Sequence, residues 1–354
     1  VTPRRYAILA PHAFATRSAK TAHGVIAYAD DKTVAVIDPA FAGKRVRDVV
    51  PYLNSDTPIV ASLEDALIYG PTSLLVGLAP AGGRLPADWR RAILEAITAG
   101  LEIVSGLHQF LADDTEFARA AHHSNVHIWD VRRPPFPRLF DGSAYNVKPR
   151  VLLTVGTDGA VGKMTTSLEL VRAARERGVD ARFIATGQTG IMIAGSGTAI
   201  DCVVADFASG AAEELIVDAA VADADLLIVE GQGGINHPAF SPVTLALVFG
   251  VAPDALILVH RATATTIESY GTPILPPERA VPHYEAILAT VKAAKVVGIA
   301  LNTHDLDVDA ARSAIAQVRE RTGLPCDDVV RFGAGEFYDA TSAGFAHKAR
   351  PLAG

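Results

Sequence analysis

The run Gly156-Thr157-Asp158-Gly159-Ala160-Val161-Gly162-Lys163 has the make-up of a phosphate grip, and it stands between an apolar run at 151–155 and a helical pattern from 163 to 177. A strand that turns into a helix exposes unpaired N–H groups and the positive end of the helix dipole. Glycines let the backbone wrap an anion closely, and a lysine adds a point charge. These eight residues, with Met164, Thr165 and Thr166 behind them, are therefore expected to hold a phosphate-rich ligand; the alternative is a Gly-rich turn that only connects strand to helix. Such a loop ordinarily places Ser or Thr directly after the lysine to ligate magnesium, and here Met164 occupies that place. A thioether does not ligate a hard cation. Magnesium, if used, would have to be held by Thr165 or Thr166 in a shifted register together with Glu230, or else the loop grips phosphates without magnesium-dependent cleavage.

Further candidates lie at other strand ends. Residues 226–234, Leu-Leu-Ile-Val-Glu-Gly-Gln-Gly-Gly, read as an apolar strand ending in a carboxylate and a flexible loop. In parallel α/β sheets the ligand crevice lies at the carboxyl ends of the strands, which puts Glu230 near Lys163 as metal ligand, orienting group or base, or as an acid that merely pairs with the lysine. Gln232 follows in the same loop as a candidate substrate contact. Thr186-Gly187-Gln188-Thr189-Gly190, also after a strand, reads as a loop closing over the ligand, with Gln188 as a donor. His237, seven residues past Glu230, titrates near neutrality and is either a base or a structural histidine. Asn302 and Thr303 either read a purine base or cap the turn before Asp305.

In the first half, residues 6–10 are not followed by Gly-x-Gly-x-x-Gly, so a dinucleotide fingerprint is not supported despite Asp38 at a strand end. Arg17, Lys20 and Thr21 form instead a candidate grip for a carboxylate or phosphate, with a solvated turn as the alternative. Arg132 and Arg133, after the last strand of that half, are either a substrate clamp or surface ion-pair partners.

These residues need a scaffold that delivers them to one edge of a sheet. Short apolar runs alternate with amphipathic stretches throughout, the pattern of parallel sheets covered by helices. Runs at 6–10, 33–37, 59–61, 73–78, 101–105 and 126–129 read as strands, with helices at 63–68, 87–98 and 115–122, making a Rossmann-like first domain over 1–146. The proline-rich segment 132–150 breaks regular structure. A P-loop NTPase-like α/β domain is then expected over 147–354, with strands at 151–155, 181–185, 226–229, 255–259, 295–301 and 328–332, helices at 163–177, 213–221, 284–293 and 309–322, and an irregular end. The 354 residues, 49% of them hydrophobic, suit two folded cores. A net charge of -7 without a concentrated basic face argues against a nucleic-acid partner. Two cysteines, Cys202 and Cys326, in unrelated contexts support neither a disulfide framework nor a cysteine-based zinc site, no apolar run approaches the roughly 20 residues that span a bilayer, and no signal peptide is read. A cytoplasmic protein is expected, and a homo-oligomer on general grounds for such α/β proteins.

The combination Gly-Thr-Asp-Gly-Ala-Val-Gly-Lys-Met-Thr-Thr, Ala-Thr-Gly-Gln-Thr-Gly-Ile-Met-Ile, Val-Ala-Asp-Phe-Ala-Ser-Gly-Ala, Val-Glu-Gly-Gln-Gly-Gly-Ile-Asn-His-Pro and Leu-Asn-Thr resembles a bacterial and archaeal family long described as of unknown function. One branch, the DgcN-like proteins, is described as D-glutamate N-acetyltransferase. The resemblance runs over nearly the whole chain, including Ala19-Lys20-Thr21-Ala22 and Trp129-Asp130-Val131-Arg132-Arg133-Pro134-Pro135. A more distant likeness, through Gly156-Thr157-Asp158, Val161-Gly162-Lys163 and Val229-Glu230-Gly231, is to dethiobiotin synthetase, a P-loop enzyme that uses ATP; Met164 and Gln232 depart from that pattern.

The first resemblance implies an N-acetyltransferase that takes acetyl-CoA and a small amino acid, D-glutamate. In that reading the P-loop grips the phosphates of coenzyme A, Glu230 or His237 is the base, and Lys163, backbone N–H groups and Gln188 are donors. Arg17, Lys20, Thr21, Arg132 and Gln232 hold the amino acid. The competing expectation is an ATP- and magnesium-dependent ligase or kinase acting on a small carboxylate, with Lys163 and Thr165 on the triphosphate and metal and Glu230 or Asp158 completing the metal site. A third is a nucleotide-sensing regulator.

Overall fold

A computed structural model describes residues 3–30, 32–78, 85–136, 138–221, 223–267 and 269–346. The chain divides into two compact units, one of residues 1–133 with 188–202 and one of residues 134–187 with 203–354.

The first unit holds a six-stranded parallel sheet of β1 (Arg5–Leu9), β2 (Lys32–Ile37), β3 (Ile59–Val60), β4 (Ser73–Val76), β5 (Glu102–Ser105) and β6 (Ile128–Asp130), in the order β3-β2-β1-β4-β5-β6. That is the Rossmann order, in which the chain reverses direction beside β1. Its helices are α1 (Lys20–Tyr28), α2 (Val46–Val49), α3 (Leu63–Leu67), α4 (Trp89–Thr98) and α5 (Thr115–Ser124). Helix α4 buries Trp89, Ile93, Ala96 and Ile97, one stripe at helical spacing. Helix α5 starts where the Asp114 carboxylate accepts from Glu116 N and Phe117 N, and ends where Asn125 turns left-handed at φ 52°.

The second unit holds β7 (Arg150–Gly156), β8 (Ala181–Ile184), β9 (Leu226–Val229), β10 (Ala255–Arg261), β11 (Lys295–Asn302) and β12 (Cys326–Asp327), parallel and ordered β12-β11-β10-β7-β9-β8. The central strands β7, β9 and β10 are buried almost throughout, as a sheet with helices on both faces requires. Between them run α6 (Lys163–Glu176), α8 (Ala205–Ala220), α9 (Ser241–Gly250), α10 (Pro277–Leu288), α11 (Val308–Thr322) and α12 (Gly335–Ser342). The remaining helix, α7 (Gln188–Ala194), is assigned to the first unit. Among the described residues, no helix is long and apolar enough to cross a membrane.

Several elements differ from expectation. The segment expected as a strand at 328–332 is a turn wound around the Asp328 carboxylate, which accepts from Thr303 N, Val330 N and Arg331 N. The end expected to be irregular contains α12, whose Phe337 and Tyr338 join Phe345 in the apolar core on β7, β9 and β10. Aromatic side chains at helical spacing outweigh the glycines around them, because burying them removes much apolar surface from water.

The division between units falls at Arg133/Pro134 rather than after residue 146. Residues 138–146 fold with α8: buried Glu213 accepts from Asp141 N at 2.8 Å and Ala144 N at 3.1 Å. A Cβ at Gly210 would lie 2.0 Å from the Arg138 carbonyl oxygen, so only glycine admits this close approach. Residues 188–202 return to the first unit, where Thr189 and Thr21 share a hydroxyl hydrogen bond of 3.0 Å.

Candidate active site

Strand β7 runs buried to Gly156, and Gly162 adopts φ +111° just before α6 begins at Lys163. That left-handed step is what lets the loop fold back over the helix terminus. Lys163 is only 4% exposed, and its ammonium donates to the carbonyls of Asp158 at 2.6 Å, Gly159 at 2.8 Å and Gly233 at 2.7 Å. It thereby ties the P-loop to the loop that follows β9. Backbone contact does the same: Gly231 N donates to Thr154 Oγ1 at 3.0 Å, and a Cβ on Gly231 would stand 1.7 Å from the Thr154 carbonyl. A third tie is Tyr284, fully buried, whose hydroxyl donates to Gly156 O at 2.7 Å and accepts from Ile235 N at 3.1 Å.

Other side chains brace the loop from its flanks. Asn302 Nδ2 donates to Val161 O at 3.0 Å and its Oδ1 accepts from His304 N. The Oδ1 contact is the turn cap before Asp305, the alternative to purine reading; Thr303 is buried and held by Asp328. Thr157 Oγ1 bonds His260 Nδ1 at 2.8 Å. Burial lowers the His260 pKa to about 4, so this imidazole is neutral at physiological pH. Of the residues opening α6, Thr166 is buried, while Met164 and Thr165 are partly exposed.

Glu230, at the end of β9, is 5% exposed, and its Oε2 accepts from Thr186 N at 3.1 Å and Gly187 N at 3.2 Å. Desolvation outweighs these amides, the Gln232 side chain and the charge of Lys163, and raises the carboxyl pKa to about 7. A carboxyl in that state exchanges a proton at neutral pH. Its Oε2 is committed to two backbone amides, which leaves Oε1 as the atom that can meet a ligand.

His237 is buried beside the P-loop, with Nε2 3.6 Å from Asp158 Oδ1. Its Nδ1 accepts from Ala239 N and Phe240 N, both at 3.1 Å. An imidazole nitrogen that accepts two amide hydrogens carries none, so the neutral ring bears its hydrogen on Nε2. Burial also lowers its pKa. His237 is therefore built as a hydrogen-bond donor, which corrects the expectation that it serves as a base. Asp158 Oδ1 accepts in turn from Gly159 N at 2.6 Å.

The remaining candidates divide between the two units. In the second, Gln232 Nε2 donates to Thr186 Oγ1 at 3.1 Å and so helps shape the pocket of Glu230. In the first, Arg132 is buried, with Nε on Gly106 O at 2.7 Å, one terminal nitrogen on Gln188 Oε1 at 2.6 Å and the other on Asp201. Gln188, expected in a loop over the P-loop ligand, instead opens α7 and packs on Gly106, where a Cβ would lie 2.9 Å from its Cγ. Arg132 and Gln188 thus anchor the returning segment 188–202. Arg17 and Lys20 are exposed and Thr21 is buried on Thr189.

Sequence reasoning missed Tyr284 and Thr154 as braces, since each sits inside an unremarkable helix or strand and only pairing across the fold shows its task. It also missed Asp254 and Lys292, which form a buried ion pair of 2.7 Å beside β7.

Comparison with known proteins agrees with this layout. The family model described as "Domain of unknown function (DUF1611_C) P-loop domain" matches residues 138–338, and the "Domain of unknown function (DUF1611_N) Rossmann-like domain" matches 39–134. A D-glutamate N-acetyltransferase of Pseudoalteromonas sp. is 40% identical over 276 residues, covering 77% of this chain and 82% of the relative. Another protein of that name, from Tritonibacter scottomollicae, is 39% identical over 287 residues, covering 80% and 84%. A crystal structure of a DUF1611 family protein from Anabaena variabilis superposes with a TM-score of 0.91 at 41% identity, covering 96% of this chain and 99% of that one. With a Rossmann-ordered sheet, a P-loop sheet and these matches, the chain belongs to the DUF1611 family.

Proposed function

We propose that this protein is an N-acetyltransferase that moves the acetyl group of acetyl-CoA to the amino group of D-glutamate. The two relatives at about 40% identity carry that name over most of their length, which supports the reading. The observation that carries it from the geometry is a P-loop with Met164 in place of the magnesium-binding hydroxyl, joined to a buried carboxyl at Glu230 that takes up a proton near pH 7. A hydroxyl directly after the lysine is the usual magnesium ligand of phosphoryl transfer, and its replacement by Met164 favours acyl transfer, which needs a proton acceptor such as Glu230.

In this mechanism the P-loop amides and Lys163 bind the phosphates of the donor. Lys163 is held among three carbonyls, and it turns one or more of those hydrogen bonds to the incoming anion. Glu230 accepts the proton that the substrate ammonium must lose before its nitrogen attacks the thioester carbonyl. The new C–N bond forms, the C–S bond breaks, and the second proton shed by the nitrogen as it becomes an amide passes to the departing thiolate to give free coenzyme A. His237, hydrogen on Nε2, donates to the oxygen on which negative charge develops.

The test is incubation of purified protein with D-glutamate and either acetyl-CoA or ATP with magnesium. Release of free thiol with formation of N-acetyl-D-glutamate by mass spectrometry, and no ADP, is expected; L-glutamate reports the stereochemical preference. ADP formation without thiol release overturns the proposal in favour of a ligase or kinase. Neither product, with a nucleotide-dependent rise in melting temperature, points to a sensor.

A further inference from the structure

Phe240 and Tyr270 are each 49% exposed, yet both are fixed against His237 at the mouth of the P-loop. Phe240 stacks on the imidazole with centroids 4.4 Å apart and planes at 28°, and Tyr270 meets it edge-on at 5.1 Å. A Cβ on Gly159, at the tip of the phosphate loop, would lie 4.0 Å from Phe240 Cδ2. Hydrogen bonding and turn geometry present the two aromatics. Phe240 N is bound to His237 Nδ1 at the start of α9, and Tyr270 stands between Ser269 and Gly271, both left-handed at φ 69° and 66°. A serine held at positive φ is a sparsely populated conformation, kept where the surrounding fold demands a particular side-chain direction.

We infer that Phe240 and Tyr270 form the subsite for the pantetheine arm and thioester of the acyl donor. This rests on the acetyl-CoA reading above and adds which end of the donor lies where. A diphosphate seated on the P-loop leaves it at two ends. The Gly162 end is polar: Asn302 borders it, with Nδ2 3.6 Å from where a Gly162 Cβ would be, and Arg261, paired with Asp305, lies beside Asn302 in the register of β10 and β11. The Gly159 end carries the two half-exposed aromatics and the Nε2 hydrogen of His237, and it meets the loop that follows Glu230, where a Cβ on Gly234 would lie 3.0 Å from Asp158 N. The reacting thioester has to end among the groups that donate and accept protons, so the arm leaves by Gly159. An aliphatic chain gains by covering exposed aromatic faces on the way. The adenosine leaves by Gly162.

The experiment compares wild type with Phe240→Ala, Tyr270→Ala and the double variant by calorimetric titration with acetyl-CoA and with adenosine 3′,5′-bisphosphate, which has the nucleotide but no arm. Both residues are half exposed, so the variants are expected to melt near the wild-type temperature. Each single substitution is expected to weaken acetyl-CoA by about tenfold and the bisphosphate by less than about twofold, since only the arm loses its aromatic contact. Equal weakening of both ligands overturns the inference by placing the adenine on the aromatics. Unchanged acetyl-CoA affinity in the double variant also overturns it while leaving the acetyl-transfer reading intact. If wild-type protein binds no acetyl-CoA, that reading fails and the subsite falls with it.

Discussion

Replacement of Glu230 by Gln separates the catalytic and the energetic consequences of its burial. In the unfolded chain this carboxyl titrates near 4.5, whereas in the folded protein burial holds its proton up to about 7. The folded state therefore binds the proton more tightly. Its contribution to stability is full below 4.5, declines as pH rises from 4.5 to 7, and is gone above 7. The gap is 7 minus 4.5, and at 1.36 kcal/mol per pH unit the loss amounts to about 3 kcal/mol. A glutamine side chain in this place does not ionise, and its amide oxygen can still accept from Thr186 N and Gly187 N. The Glu230→Gln protein should thus lack this component of the pH dependence and gain on wild type by about 3 kcal/mol between pH 4.5 and pH 8. Urea or thermal denaturation of both proteins at a series of pH values measures the difference. Activity should move the other way: wild-type kcat/KM should rise about tenfold per unit below pH 7 and level off above it, and the variant should lose about a hundred- to ten-thousandfold with that limb abolished. Parallel stability curves for the two proteins would refute the burial argument, and an unchanged acid limb in the variant would refute Glu230 as the base.

Lys163→Ala should weaken acetyl-CoA by roughly ten- to a hundredfold in calorimetry, the worth of a charge-assisted contact to phosphate, and wild-type affinity would remove the P-loop from the binding site. Lys292→Ala leaves Asp254 buried without the ammonium now 2.7 Å away, and should cost about 3–5 kcal/mol, or a melting temperature lower by about 5–10 °C in scanning fluorimetry. A shift of under about two degrees would mean the pair contributes little. Gly231→Ala brings a Cβ to 1.7 Å from the Thr154 carbonyl; the loop carrying Gln232 and His237 must move, and kcat/KM should fall by more than about a hundredfold. Wild-type kinetics in that variant would show the loop to be free to shift.

The alternation of apolar runs with amphipathic helices, and the strand–glycine–lysine–helix succession at 151–177, made both parallel α/β units and the phosphate loop legible in the chain itself, because these signals are local. A strand end places Glu230 at the edge of its sheet whatever surrounds it. What the sequence could not tell was the environment each group meets. Burial against the amides of Thr186 and Gly187 turns Glu230 into a carboxyl that titrates near neutrality, and two backbone N–H groups on Nδ1 turn His237 from a base into a donor. The return of residues 188–202 to the first unit, and with it the commitment of Arg132 to Gln188 and Asp201, depends on contacts between residues 56 and 69 positions apart. Period and propensity report on neighbours along the chain. Protonation state, tautomer and the partner of a guanidinium are set by groups distant in sequence, and only the folded structure brings those together.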